Sequence, residues 1–75
     1  MPPQPLTLRL ADHTDAPVVR RLAQLDSSRP PTGRVLLAVV GSEPVAALAV
    51  ETGAVVADPF RPTADVVELL RRAAA

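Results

Sequence analysis

Between Leu6 and Leu10 apolar and polar side chains alternate without exception, with Leu6, Leu8 and Leu10 on one side and Thr7 and Arg9 on the other. A period of two marks a strand with one buried face, so the spacing predicts a first strand over Leu6 to Leu10. The period then changes. His13-Thr14-Asp15-Ala16-Pro17 offers Thr14 as an N-cap, an acid near the positive end of the helix dipole, and a proline where its missing N–H goes unneeded. The helix that follows is expected to run to about Asp26. Val18, Leu22 and Leu25 recur along one stripe, Val19 and Ala23 widen it, and Arg20, Arg21 and Gln24 face water.

Ser27-Ser28-Arg29-Pro30-Pro31-Thr32-Gly33 resists regular structure and reads as a loop. Val35 to Val40 and Val45 to Val50 are apolar on both alternating faces, which predicts strands covered on both sides. Gly41-Ser42-Glu43-Pro44 between them reads as a hairpin turn, and the Thr52-Gly53 break leads into a short fourth strand over Ala54 to Asp58. Beyond Pro59-Phe60-Arg61-Pro62, Thr63 is placed to N-cap a second helix. Asp65 lies in its first turn, Val66, Leu69, Leu70 and Ala73 form its apolar stripe, and Arg71 and Arg72 lie in its last turns. The expected order is β-α-β-β-β-α, an α/β chain of the α+β type with a four-stranded antiparallel sheet and one helix on each face.

Composition narrows the function classes. A chain of 75 residues reads as one domain, 6–75, behind a proline-rich tail, 1–5, expected to be solvated and polyproline-like. A domain this small buries only about 60% of its unfolded surface, so a disulfide, a metal or a partner is the usual support. With no cysteine and His13 as the single histidine, no zinc or iron–sulfur spacing exists, and association is left as the support. Eight basic residues, all arginine, balance eight acidic ones, and Phe60 is the one aromatic. Neither a nucleic acid nor an anionic membrane is an expected partner. Met1-Pro2-Pro3-Gln4-Pro5 has no leader-like charged or apolar region and no apolar run approaches the roughly 18 residues of a membrane span, so a cytoplasmic location is expected. Arginine without lysine, beside abundant alanine, valine and proline, reflects a GC-rich genome rather than arginine chemistry.

Three stretches together carry a family resemblance. Asp12-His13-Thr14-Asp15-Ala16, ahead of a helix ending Leu22-Ala23-Gln24-Leu25-Asp26, is similar to a "D-x-x-D-A" opening. Val35 to Val40, Gly41, then Pro44-Val45-Ala46-Ala47-Leu48-Ala49-Val50 is similar to "V-A-x-x-x-G-x-P-V-G-x-A", and Val55-Val56-Ala57-Asp58-Pro59-Phe60-Arg61-Pro62-Thr63 lies where "V-x-P-x-x-R-G-x-G" would fall. The chain thus resembles the N-terminal half of GNAT (GCN5-related) acyl-CoA N-acyltransferases over nearly its whole length. The resemblance implies acetyl-CoA as a cofactor, its pyrophosphate held by backbone N–H groups of a glycine-rich loop at a helix N-terminus. Here the loop departs from the pattern: no glycine follows Gly53, and Pro62 has no N–H. Arg61, Thr63 and the free amides after Thr63 are what is left to hold a phosphate, and otherwise Arg61 and Thr63 are a solvated arginine and a helix cap. The family's later elements and its tyrosine general acid have no counterpart, and the chain contains no tyrosine.

Other candidates divide in the same way. Glu51 is placed as a general base or as a surface carboxylate beside a turn. His13 reads as a titrating base or a solvated residue ahead of a cap. Arg20-Arg21 and Arg71-Arg72 read as a basic contact surface or as solvated helix faces, and Ser27 and Ser28 lack a base partner for nucleophilic catalysis. The catalytic set is therefore empty, and no cofactor is expected beyond the acetyl-CoA that the resemblance implies. The fourth strand, Ala54, Val55, Val56 and Ala57, is expected to lie on an open edge where two copies pair into an eight-stranded sheet. Three functions follow: a non-catalytic GNAT-like module that forms a homodimer or docks on a GNAT-type partner, a minimal acetyltransferase completed by a second chain, and a regulatory partner of a full-length acyltransferase.

Overall fold

Gly41 and Ser42 reverse the chain between two apolar runs, and the sheet grows outward from that hairpin. In the computed structural model, which describes residues 4–75, β2 (Val35–Val40) and β3 (Glu43–Ala49) pair antiparallel across the turn. β1 (Leu6–Leu10) joins the outer side of β2 and β4 (Val55–Ala57) the outer side of β3, both antiparallel, giving the sheet order β1-β2-β3-β4. A 3₁₀ turn, His13–Asp15, leads into α1 (Ala16–Leu25) after β1, and α2 (Ala64–Ala74) follows β4. The result is a small compact α+β fold. Met1, Pro2 and Pro3 of the expected tail lie outside the described residues. The Pro5 carbonyl accepts from the Gly41 N–H at 2.8 Å, which adds a rung to the β1–β2 ladder.

Strand alternation sorts the sheet into two faces. Val35, Leu37, Ala47 and Val56 pack under Val19, Leu22 and Ala23 of α1. Ala38, Val45, Ala46 and Leu48 pack with Leu70 of α2. Both core strands are therefore covered on both sides, as their two-faced apolar patterns require. Val45 joins Ala46 on the α2 face because the register slips between Ala38 and Val39: Ala38 pairs with Ala46 but Val39 with Pro44. The slip is a β-bulge, a site where a strand tolerates a proline that cannot donate.

Several expectations are corrected. Thr14 is not the cap: Asp15 precedes α1 without a side-chain cap bond, and Asp12, extended at φ −108° and ψ −177°, caps the 3₁₀ turn before it, its carboxylate accepting from the Thr14 N–H at 2.8 Å. Asp15 reciprocates by accepting from the Asp12 N–H at 2.9 Å, which closes a capping box and draws Thr14 inside the turn. The buried face expected of β1 is largely uncovered. Leu6 is 39% and Leu10 58% exposed, and Leu8 alone is half-buried. The reason is lateral: α2 packs over β2 and β3 and stops short of β1.

On α1 the buried stripe is Val19, Leu22 and Ala23, with Val18 and Leu25 half-buried at its margin. On α2 it is Leu70, with Val66, Val67 and Ala74 packed beside it, while Leu69 (40% exposed) and Ala73 face solvent. Leu69 and Ala73 are displaced because Val67, Leu70 and Ala74 form the tighter three- and four-residue row against the bulged strand. The hairpin turn is shorter than expected, with Glu43 and Pro44 inside β3, and β4 is trimmed to three residues. No helix among the described residues is long and apolar enough to cross a membrane.

Candidate functional site

The segment between β4 and α2 is the one the resemblance assigns to a cofactor, and its hydrogen bonds are turned inward. The Asp58 carboxylate accepts from the Phe60 N–H at 2.9 Å, and the Asp58 carbonyl accepts from the Arg61 N–H at 3.2 Å. The Asp58 N–H donates to the Val45 carbonyl at 2.9 Å, which fixes the start of the loop to β3. Two backbone donors are thereby used within the loop, and Pro59 and Pro62 have none to give.

Arg61 and Thr63, the two phosphate-binding candidates, do not converge on an anion site. The Arg61 guanidinium is paired with the Glu43 carboxylate at the start of β3. Thr63 precedes α2 without a side-chain cap, and its carbonyl accepts from the Val67 N–H at 2.8 Å. Asp65 stands in the first turn of α2. The Arg61 charge is thus paired, and Asp65 already places one carboxylate at the positive end of α2. Phe60 is 82% exposed at the tip of this loop.

Glu51 lies in the turn after β3 and acts there as a clamp. Its carboxylate accepts from the Arg34 N–H at 3.0 Å and from Arg34 Nε at 3.1 Å. Those bonds, the backbone one first, hold its pKa below the ordinary carboxylate value, which weakens it as a base. Gly33 is required beside it: at φ +76°, a Cβ there would sit 2.7 Å from Glu51 Oε1.

The strongest electrostatic feature is a pair the sequence pattern left unjoined. Arg9 grips Asp15 with two bonds, Nη1 to Oδ2 at 2.8 Å and Nη2 to Oδ1 at 2.9 Å. Together with the Asp12 N–H, Arg9 lowers the Asp15 pKa to about 2. Asp15 is the one buried charged side chain among the described residues, and its partner emerges from the polar face of β1. The strict alternation of β1, which puts Arg9 on the α1 side, was the available signal.

A groove of about 330 Å³ opens at the sheet end beside this pair, with Ala16, Val19 and Val35 as its floor and Asp12, His13 and Arg20 at its rim. The Asp12 carboxylate is committed to the cap, where bonds from Thr14 hold its pKa low. No described buried side-chain nitrogen or oxygen lacks a hydrogen-bond partner. The groove therefore holds no described buried polar side-chain atom left without a partner.

No family model, no curated protein and no solved structure matches this chain. Among the described residues, no group of three or more histidine, cysteine, aspartate or glutamate side chains is placed to hold a metal ion. Ser27 takes a structural role: it ends α1 in the left-handed conformation at φ 53°. Arg71 reaches the Gly53 carbonyl at 3.3 Å, whereas Arg20, Arg21 and Arg72 lie on exposed helix surface.

In the expected interface strand, Val56 is buried under α1, Val55 and Ala57 are half-buried, and Ala54 is exposed. The bonds from Asp58 to Val45 and from Ala49 to Ala54 show that residues 54, 56 and 58 face β3, so Val55 and Ala57 carry the outward backbone groups. One of these is taken. The Asp26 carboxylate, at the end of α1, accepts from the Ala57 N–H at 3.3 Å.

Proposed function

We propose that the chain is a GNAT-like module of the cytoplasm that works by association, with itself or with a GNAT-type partner, and not by acyl transfer. The observation that carries this reading is the closed loop before α2. The amides of Phe60 and Arg61 are bound to Asp58, the Arg61 charge is bound to Glu43, and Pro62 has no donor. A pyrophosphate needs convergent free N–H groups and a positive side chain beside them; the loop itself offers neither, which leaves the first-turn amides of α2, with Asp65 among them, as the donors that could meet an anion. An antiparallel four-stranded sheet with helices packed on opposite faces is the layout expected of the family's first half, and it supports the resemblance.

The test is a thermal melt with and without millimolar acetyl-CoA. The expected outcome is an unchanged midpoint. A ligand present at one hundred times its Kd adds about 2.7 kcal/mol, which at this size raises the midpoint by roughly 10 °C or more. An increase of that order would replace the association reading with the minimal acetyltransferase.

A further inference from the structure

The outer edge of β1 is built differently from the outer edge of β4. The Ala11 N–H bonds the Val35 carbonyl and the Pro5 carbonyl accepts from Gly41, so the odd-numbered residues of β1 face β2. By strand alternation the N–H and C=O groups of Leu6, Leu8 and Leu10 all point away from the sheet. These same three residues present their side chains on the α2 face, where Leu6 and Leu10 are exposed. Among the described residues, one strand thus offers an unpaired backbone ladder and an uncovered leucine row, a combination that folded proteins ordinarily cover. The Arg9 guanidinium makes a long 3.4 Å contact with the Leu10 carbonyl, which keeps a second lone pair free.

We infer that the association surface is the β1 edge, and that its occupant is the β1 edge of a second copy, paired antiparallel about a two-fold axis at Leu8. This rests on the association reading above and places the contact on β1 rather than β4. The sequence Leu6-Thr7-Leu8-Arg9-Leu10 is self-complementary in that register. Leu8 meets Leu8 of the second copy, Leu6 meets Leu10, and six hydrogen bonds close between the outward groups. On the opposite face Arg9 meets Thr7 of the second copy, so like charges are kept apart and each Arg9 retains its Asp15. Shifting the register by two residues brings Arg9 opposite Arg9 in one direction and leaves Leu10 without a leucine partner in the other. The leucine rows of both copies join between the two α2 helices.

The assembly also stops at two. Its remaining edges are the β4 strands, each three residues long, followed by Pro59, with the Ala57 N–H held by Asp26. With five residues per strand the interface is at the small end for specific complexes, so a dissociation constant on the order of 10 μM is the scale on which the test is set.

Amide hydrogen exchange followed by NMR on the unmodified protein, at concentrations below and above that value, tests the seam. With light scattering for mass, the expected result is a dimer in which the amides of Leu6, Leu8 and Leu10 gain protection with concentration while Val55 does not. The doubly substituted Leu6→Lys, Leu10→Lys chain, altered at two exposed side chains, is expected to stay folded by circular dichroism and to remain monomeric. A dimer that protects Val55, leaves the β1 amides unprotected and survives both lysines would overturn the β1 seam while keeping self-association. A wild-type monomer at every concentration would overturn self-association itself.

Discussion

α1 and α2 cover opposite faces of one sheet with comparable amphipathic patterns, yet they are secured in different ways. α1 follows a 3₁₀ turn that Asp12 and Asp15 cap reciprocally, is tied to β1 by Arg9, and buries Val19, Leu22 and Ala23. It leaves through a turn in which Ser27 and Ser28 donate to the Gln24 and Ala23 carbonyls at 3.1 and 2.9 Å. α2 has no side-chain cap at Thr63 and buries Leu70 as its one fully enclosed residue. An apolar stripe seats a helix, but the bonds at its ends decide how many independent contacts must fail before it lifts away.

The largest expected effect separates the two faces directly. Leu70→Ala removes the central anchor of α2 and is expected to cost about 3 to 4 kcal/mol, a large share of the stability of a chain this size. Its amide protection should fall first and most steeply over residues 64–74, with the sheet retained. Leu22→Ala, backed by Val19 and Ala23, should instead lower protection across the whole fold. Equal, global loss in both variants would show that α2 is no less securely attached than α1.

Acid sharpens the same contrast. The folded Asp15 pKa is about 2 against an ordinary value of 3.8, a depression caused first by Arg9. A depressed carboxylate contributes stability that is fully present above the ordinary value and is lost as pH falls through the folded one. Urea midpoints should therefore drop between about pH 4 and pH 2, with amides of α1 losing protection ahead of those of α2. Asp12 and Glu51 are shifted in the same direction, so Asp15→Asn should flatten most of this slope without abolishing it. A slope unchanged in Asp15→Asn would remove the Arg9–Asp15 pair from the contacts that secure α1.

What the sequence disclosed follows the same division. Alternation located β1, helical period both helices, two-faced apolar runs β2 and β3, and the Thr52-Gly53 break β4, because those signals lie in each element's own residues and their neighbours. The hairpin was legible from Gly41 and its neighbours, but the bulge at Val45 was not, since a slip in pairing depends on the partner strand. Burial of β1 was misread for a related reason: Leu6, Leu8 and Leu10 show that a strand has an apolar face but not how far α2 reaches across the sheet. At the candidate site, the absence of any glycine after Gly53 and the N–H-less Pro62 were visible in the chain. The pairings of Arg61 with Glu43, Glu51 with Arg34 and Asp26 with the β4 edge join residues distant in sequence, and no local pattern announces them.

The smallest effect concerns the exit of α1. The Ser28 N–H to Ala23 carbonyl and Ser27 N–H to Gln24 carbonyl bonds form a Schellman-type close, which requires its first residue past the helix to be left-handed. Ser27 fills that position at φ 53°, a conformation that strains a residue bearing a Cβ and leaves glycine unstrained. Ser27→Gly is expected to relieve more native strain than it adds freedom to the unfolded chain, raising stability by about 0.5 to 1 kcal/mol, or several degrees in Tm. Ser28→Gly gains no such relief and loses the side-chain bond to the Asp26 carbonyl, so it should lower Tm slightly. If both substitutions lowered Tm alike, the close of α1 would depend on the serine side chains rather than on backbone geometry, and its exit would be held no better than the entrance of α2.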